Sequence, residues 1–281
     1  MEEDLINWLT EDSNPMVKFR TRKEILKQNV SNEDSKRYIL SYIPGNWYLI
    51  KGIWYTYYLT ALAEAGLTAK NIDRTWLEQA FLKLKNSDHG CEDFMLLRAL
   101  LMLGFGNEEP VQDALSAISE SALPDGGFLC RMKLDKKSYV PKGCYKANLM
   151  ALLLASECQK KNIIVPYKDA LVRNFVNRRL FYKNGTDDLV LQEKEGWRTV
   201  DVFSPLEVMR IGIVNIYEAL ANLLRVEDPA LSECSEMIKR HIVDDKVILQ
   251  GTSTKTYLPK EKVGKPSKWN SFYYLLALSH L

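Results

Sequence analysis

The chain has 281 residues, enough for one large domain or two small ones, and its 38 basic and 36 acidic residues leave a formal net charge of +2. This balance argues against nucleic-acid binding through bulk positive charge. One of the longest apolar runs, residues 149–155, has seven residues, against the roughly 20 that cross a bilayer, so no membrane span is predicted.

Two further features of composition bear on location and domain count. The chain begins with the acidic sequence Met-Glu-Glu-Asp, whereas a secretory signal peptide begins with basic residues. Its five cysteines are an odd number without CxxC spacing, which indicates reduced thiols rather than a disulfide scaffold. We therefore expect a cytoplasmic protein. No linker or low-complexity segment marks a border, so residues 1–281 are predicted to form one domain.

The N-terminal segment, residues 1–40, is predicted to form two helices that pack on the rest of the chain. Asn14 followed by Pro15 is a helix-start signal, because asparagine caps free N–H groups and proline suits the first helical turn. The residues from Val17 to Ile25 then repeat at helical spacing.

Beyond residue 40, one pattern occurs five times. A turn, usually containing glycine, is followed by an aromatic or charged cluster and then by a helical segment that is apolar nearly all round. Such a helix has no polar face and is buried by neighbours on every side. Repetition at a spacing of tens of residues is typical of repeat architectures. The five apolar segments are 54–59, 94–103, 147–155, 211–224 and 272–281.

Amphipathic segments lie between the apolar ones. Their apolar residues form stripes at helical spacing that start near Trp76, Val111 and Leu171. The alternation predicts two concentric layers of an all-α protein, an α/α toroid with the apolar helices inside and an N-terminal helical extension. An open solenoid is the competing geometry. We favour the closed toroid because residues 269–281 are as apolar as the internal blocks, where a solenoid needs a polar cap.

In a toroid of this kind the first residues of the inner helices line the mouth of a central cavity. An aromatic lining with a few charges suits an apolar ligand with one polar or anionic group. The same aromatic side chains could instead simply fill the barrel. The residues at these positions are Trp54, Tyr57, Tyr58, Glu92, Asp93, Cys144, Tyr145, Lys146, Phe203, Glu207, Lys268, Trp269, Asn270 and Tyr273.

The turn formed by Asp125, Gly126, Gly127 and Phe128, followed by an apolar helix, resembles the repeat of terpene cyclases and protein prenyltransferase β subunits. Both families are α/α toroids, and the resemblance covers most of the chain beyond about residue 40. The two ends of the chain are similar to small bacterial toroids of the prenyltransferase-like and squalene-cyclase-like type. The resemblance implies a fold and a bacterial source, but it does not specify a reaction.

The most specific local similarity is the Gly-Gly-Phe turn that runs to Arg131, together with Cys144 and Tyr145. In prenyltransferase β subunits the matching arginine and tyrosine hold the prenyl diphosphate, which implies that role for Arg131 and Tyr145. The matching aspartate and histidine zinc ligands are replaced by Lys142 and Ser271. Zinc needs about four ligands and one cysteine remains, so we expect no metal and no cofactor.

The acid motifs of both classes of terpene cyclase, Asp-x-Asp-Asp and Asp-Asp-x-x-Asp, are absent from the sequence. The catalytic candidates are therefore isolated residues at the inner-helix starts. Asp93 and Glu207, with Glu92 beside Asp93, could form the carboxylate pair of a carbohydrate-active α/α barrel. Nearby lysines could lower the pKa of the Cys144 thiol. The sequence leaves open whether the chain is an enzyme.

Three functional hypotheses follow. The first is a protein that binds or transforms an isoprenoid-type apolar ligand in the central cavity. The second is a carbohydrate-active barrel, and the third is a non-catalytic protein-interaction toroid. In the first hypothesis the anionic head contacts Arg131, Tyr145 and Lys146, and the tail contacts Trp54, Tyr57, Tyr58, Trp269 and Tyr273, with Asn270 beside them.

Overall fold

The computed structural model describes residues 2–87, 90–129, 143–190, 199–207, 210–252 and 258–281. Within these ranges the protein is α-helical apart from one two-stranded hairpin, which confirms the all-α expectation. None of the described helices is both long enough and apolar enough to cross a membrane.

The N-terminal segment contains three helices, not the two predicted. These are α1 (Glu2–Leu9), α2 (Pro15–Arg20) and α3 (Glu33–Leu40), and a π-helical turn, Thr21–Ile25, extends α2. The predicted start at Pro15 is confirmed, because the side chain of Asn14 accepts a hydrogen bond from the N–H of Val17 at 3.2 Å. The extra helix, α1, forms because Leu5 and Leu9 bury one face of it.

The remaining elements follow in chain order, with two short 3₁₀ turns at Trp47–Leu49 and Arg74–Leu77. The helices are α4 (Ile53–Glu64), α5 (Glu78–Lys85), α6 (Cys91–Leu103), α7 (Glu109–Ser121), α8 (Tyr145–Lys160), α9 (Lys168–Asn177), α10 (Ile213–Leu224), α11 (Pro229–Lys239) and α12 (Lys268–Leu278). A hairpin of β1 (Ile242–Val243) and β2 (Lys246–Val247) precedes α12.

The two kinds of helix expected from the sequence are both present. The apolar helices α4, α6, α8, α10 and α12 are buried along most of their length, and each packs against the next in the series. The amphipathic helices α5, α7, α9 and α11 each pack against one or two of these and leave a polar face exposed. Of these four, α11 was not singled out by the sequence pattern.

In the pairs α4–α6 and α8–α10, hydrogen bonds join the apolar helices start to start or finish to finish. Near their starts, the Thr56 hydroxyl of α4 donates to Glu92 of α6 at 3.1 Å. Near the finish of α8 and α10, the Asn222 amide donates to the backbone oxygen of Ser156 at 3.0 Å. We call the two ends of this layer the start end and the finish end. The N-terminal segment contacts α12 through α1 and α2, and α4 through α3.

The glycine turn before α8 fixes where that helix starts. Gly126 has a φ of 75°, and a Cβ there would lie 2.2 Å from the backbone nitrogen of Leu171. Beyond the turn, the N–H of Phe128 donates to the Asn148 side chain at 2.8 Å, and the N–H of Cys144 donates to the Phe128 carbonyl at 2.7 Å. The turn therefore needs glycine for both conformation and space.

We expect Gly126→Ala to destabilise the protein more than Gly185→Ala. Gly185 has a similar φ of 71° but nothing within 4 Å of the added Cβ. Gly185→Ala is therefore the control, and it should cost only about 1–2 kcal/mol for placing alanine in the left-handed backbone conformation. Gly126→Ala should add an overpacking cost of about 1–3 kcal/mol. Urea unfolding measures both variants, and equal losses would contradict this account of the turn.

Candidate functional site

Two aromatic side chains at the start end remain partly accessible. Trp54 and Tyr57 lie in the first turns of α4, and their ring centroids are 5.3 Å apart. Tyr58, predicted to share the lining, is buried. The start of α4 therefore presents an accessible aromatic surface made by Trp54 and Tyr57.

The acidic candidates at the start of α6 hold structural bonds. Asp93 accepts hydrogen bonds from the Ser87 hydroxyl and the Gly90 N–H, both at 2.8 Å, and so caps the helix. Glu92 accepts from Thr56 and forms an ion pair with Lys83. Both carboxylates therefore stabilise the beginning of α6.

The other predicted acid, Glu207, is buried in the segment before α10. Its carboxylate accepts a hydrogen bond from the Thr252 hydroxyl at 3.2 Å. Glu207 is thus tied to the chain that leads towards α12, while Asp93 caps α6. Their pairing as two catalytic acids stays a prediction.

The start of α8 places one predicted residue beside a cation that the sequence pattern did not single out. Tyr145 is buried, and its hydroxyl donates to the Leu180 carbonyl at 2.7 Å. Burial raises the pKa of Tyr145. The guanidinium carbon of Arg178 lies 5.6 Å from the centre of the Tyr145 ring. The Nε of Arg178 is buried without a hydrogen-bond partner. Cys144 and Lys146, on either side of Tyr145, are partly buried.

The predicted residues of α12 are enclosed by protein. Trp269 and Tyr273 are each 1 % exposed and stack with ring centroids 6.3 Å apart. Asn270 is fully buried, and its Oδ1 has no hydrogen-bond partner. These side chains pack inside the helical layer. Arg131, the remaining predicted ligand contact, lies outside the described residues, as does Lys142.

The centre of the layer holds a buried network of charges. Arg20 of the N-terminal segment donates to Glu64 at the finish of α4, and to the Tyr273 hydroxyl of α12 at 2.6 Å. Tyr273 in turn donates to Glu64 at 2.6 Å, and Arg98 of α6 donates to Glu64 at 3.0 Å. The carboxylate of Glu24 accepts two more hydrogen bonds from the Arg20 guanidinium, at 2.5 and 2.9 Å. We call these five residues the hub.

The network continues into α8 and α10. Lys160 forms an ion pair with Glu218 at 2.7 Å, and His280 lies 3.3 Å from the same carboxylate. Burial alone would raise the pKa of Glu218, but these two neighbours outweigh it and lower the pKa to about 2. Burial would lower the pKa of Lys160, and its carboxylate neighbours raise it instead. The pair is therefore ionised at neutral pH.

The hub and its continuation carry a sequence signal that is visible in retrospect. Glu64 is the only charged residue of α4, and Glu218 is the only one of α10. Arg98 is the only basic residue in α6. A charge in a helix buried on all sides needs a partner, because an unpaired buried charge is very costly. The identity of each partner depends on the tertiary structure.

Two open cavities are lined by other residues, although the first includes Ser87, which donates to Asp93. One, of about 370 Å³, is between α5 and α7 and includes Leu84 and Asp113 in its lining. The other, of about 320 Å³, is beside the α8–α9 connection and includes Gln159 and Ile164. Neither cavity is lined by a residue of the predicted site.

The chain matches no protein-family model, no curated protein and no solved structure. The resemblance to terpene cyclases and prenyltransferases therefore rests on the residues quoted for it, and the site is interpreted from its own geometry.

We expect Glu64→Gln to destabilise the protein by about 3–5 kcal/mol, because the substitution leaves buried arginines without a counter-charge. The matched control is Glu108→Gln, which breaks the exposed Arg74–Glu108 pair at 2.7 Å and should cost at most about 1 kcal/mol. Urea unfolding at neutral pH compares them. If Glu64→Gln lowers the free energy of unfolding no more than Glu108→Gln does, the hub does not stabilise the fold.

The loss of folding stability at acidic pH should depend on Glu218. Its folded pKa of about 2 lies below the ordinary value of 4.5, so the ionised carboxylate stabilises the fold above pH 4.5, and this contribution is lost as the pH falls towards 2. Glu218→Gln should lower stability at pH 7 and flatten its decline over that range. The measurement is the unfolding free energy of the wild type and of Glu218→Gln between pH 7 and pH 2. A parallel loss of stability in both proteins would contradict this prediction.

Proposed function

We propose that the apolar helices close into an α/α toroid, with the N-terminal segment as an extension packed on its rim. The support is the hydrogen bond between Tyr273 and Glu64, residues 209 positions apart in sequence. It joins the last apolar helix to the first. Arg20 binds both side chains, so the N-terminal segment reinforces the closure. An open solenoid would separate its first and last helices.

We further propose that the toroid binds a small amphipathic molecule at its start end. Trp54 and Tyr57 offer an accessible apolar surface for a hydrophobic tail. The cation for an anionic head is Arg178, with Tyr145 and Lys146 nearby. The observation that carries the proposal is the buried Nε of Arg178, which lacks a hydrogen-bond partner. A phosphate or diphosphate would supply the missing acceptor.

The ligand class comes from the resemblance to prenyltransferases and terpene cyclases, which points to isoprenoid-type molecules. Binding fits the site better than catalysis, because Glu92 and Asp93 are already engaged at the start of α6. The same engagement weakens the carbohydrate-active alternative, which needs two carboxylates available to substrate. A cytoplasmic location and a bacterial source stay predictions.

Calorimetric titration with farnesyl diphosphate and farnesol tests the two halves of the site. Trp54→Ala should weaken both ligands roughly 10- to 100-fold, the effect of losing one large apolar contact. Arg178→Gln should weaken the diphosphate by a similar factor and leave farnesol unchanged, because only the diphosphate meets the cation.

The matched controls are Trp76→Ala and Arg173→Gln. Trp76 is a partly exposed tryptophan whose ring packs on Tyr48 at 5.2 Å and on Trp47 rather than on Trp54 or Tyr57, and Arg173 is exposed on α9. Both controls should bind like the wild type. Failure of the wild type to bind either ligand would overturn the proposal and leave the non-catalytic interaction toroid as the better hypothesis. Equal losses in variants and controls would also contradict it.

A further inference from the structure

The cavity between α5 and α7 has an apolar floor. Its volume of about 370 Å³ lies within the range of small-molecule sites. Leu84 of α5 and Ala114 of α7 are buried where they line it, and Ala117 lies one turn further along α7. Because the α7 side of this floor is made by alanines, the packed helices leave space between them.

Three charged side chains at the rim of this cavity form no ion pair or hydrogen bond with any described residue. Lys85 comes from the end of α5, and Glu109 and Asp113 come from the first half of α7. All three residues are exposed. The rim therefore carries charges of both signs that the surrounding protein does not neutralise.

Nearby charged residues on the same segments are paired. Lys83 forms an ion pair with Glu92, and Glu108 forms one with Arg74 at 2.7 Å. These side chains do not line the cavity. The charges that do line it thus remain available to a ligand, whereas their neighbours are engaged within the protein.

The opposite charges stand on opposite walls of the cavity. Glu109 and Asp113 are four residues apart on α7, so their carboxylates share one face of the helix and repel each other. Lys85, on α5, is too far from both carboxylates to pair with them directly. A molecule in the cavity therefore meets a cation on one side and two carboxylates on the other.

This distribution of charge favours a ligand that carries both signs. A simple anion at Lys85 would lie beside two carboxylates, and a simple cation at the carboxylates would lie beside Lys85. A zwitterion suits both walls, because its ammonium group donates to the acids and its carboxylate accepts from the lysine. No group of three or more metal-ligating side chains occurs in the described ranges, so an ammonium group fits the two acids better than a metal ion does.

We propose that the cavity between α5 and α7 binds a free α-amino acid with an apolar side chain. Its ammonium group contacts Glu109 and Asp113, and its carboxylate contacts Lys85. Its side chain lies on the floor formed by Leu84 and Ala114. The site shares no residue with the amphipathic-ligand site at the start end, so either proposal can fail without the other.

Three ligands with the same aliphatic chain test the need for both charges. L-Leucine carries both charges, 4-methylpentanoate lacks the ammonium group, and 3-methylbutylamine lacks the carboxylate. Calorimetric titration at pH 7 should detect leucine binding to the wild-type protein. Each singly charged analogue should bind roughly 10- to 100-fold more weakly, the effect of losing a charge-assisted hydrogen bond.

Two substitutions test the two walls. Lys85→Gln and Asp113→Asn should each weaken leucine binding by a similar factor. Both side chains are exposed and unpaired within the described part of the chain, so both variants should fold with nearly wild-type stability. The matched controls, Lys70→Gln and Asp244→Asn, change exposed residues outside the cavity lining, and they should bind leucine like the wild type.

Three results would overturn the proposal. They are no leucine binding to the wild type, binding of either analogue as tight as that of leucine, and binding of leucine to either cavity variant as tight as to the controls. The comparison of the three ligands uses only the wild-type protein, so it decides the question even if a variant fails to fold.

Discussion

The pairing of Arg20 with Glu64 inside the helical layer is the constraint on which the rest of the structure depends. Both side chains are almost completely buried, and neither charge could stay there alone without a large desolvation cost. Burial alone would lower the pKa of Arg20, but the surrounding acidic groups raise it well above its usual value. Tyr273 and Arg98 complete the coordination. Four separate parts of the chain therefore meet at one point.

The two ends of the apolar helices differ in chemistry for a reason that follows from this arrangement. At the start end, polar residues such as Asp93 cap helices and aromatic rings fill the space between them, so the exposed remainder is aromatic with a nearby cation. At the finish end, acids and bases lie within the helices and pair across them. The two ends of the same helices therefore differ: one is aromatic with a nearby cation, and the other holds paired acids and bases.

The sequence predicted most of the helical segments because burial has a clear periodic signature. The apolar segments became α4, α6, α8, α10 and α12, and the stripes near Trp76, Val111 and Leu171 became α5, α7 and α9. The charge partners could not be predicted, because Arg20 and Tyr273 are 253 residues apart. The same limit applies to Arg178, whose position over Tyr145 depends on how α9 ends. Trp269 and Tyr273 were expected at a cavity mouth, yet both are enclosed.

A double-mutant cycle between Glu64→Gln and Tyr273→Phe tests ring closure most directly, since these residues belong to the first and last apolar helices. The account predicts that the two substitutions are coupled by roughly 1–3 kcal/mol in urea unfolding, as expected for a buried hydrogen bond to a charged group. Additive losses, with a coupling near zero, would show that the two helices do not meet through this bond and would contradict the closed toroid.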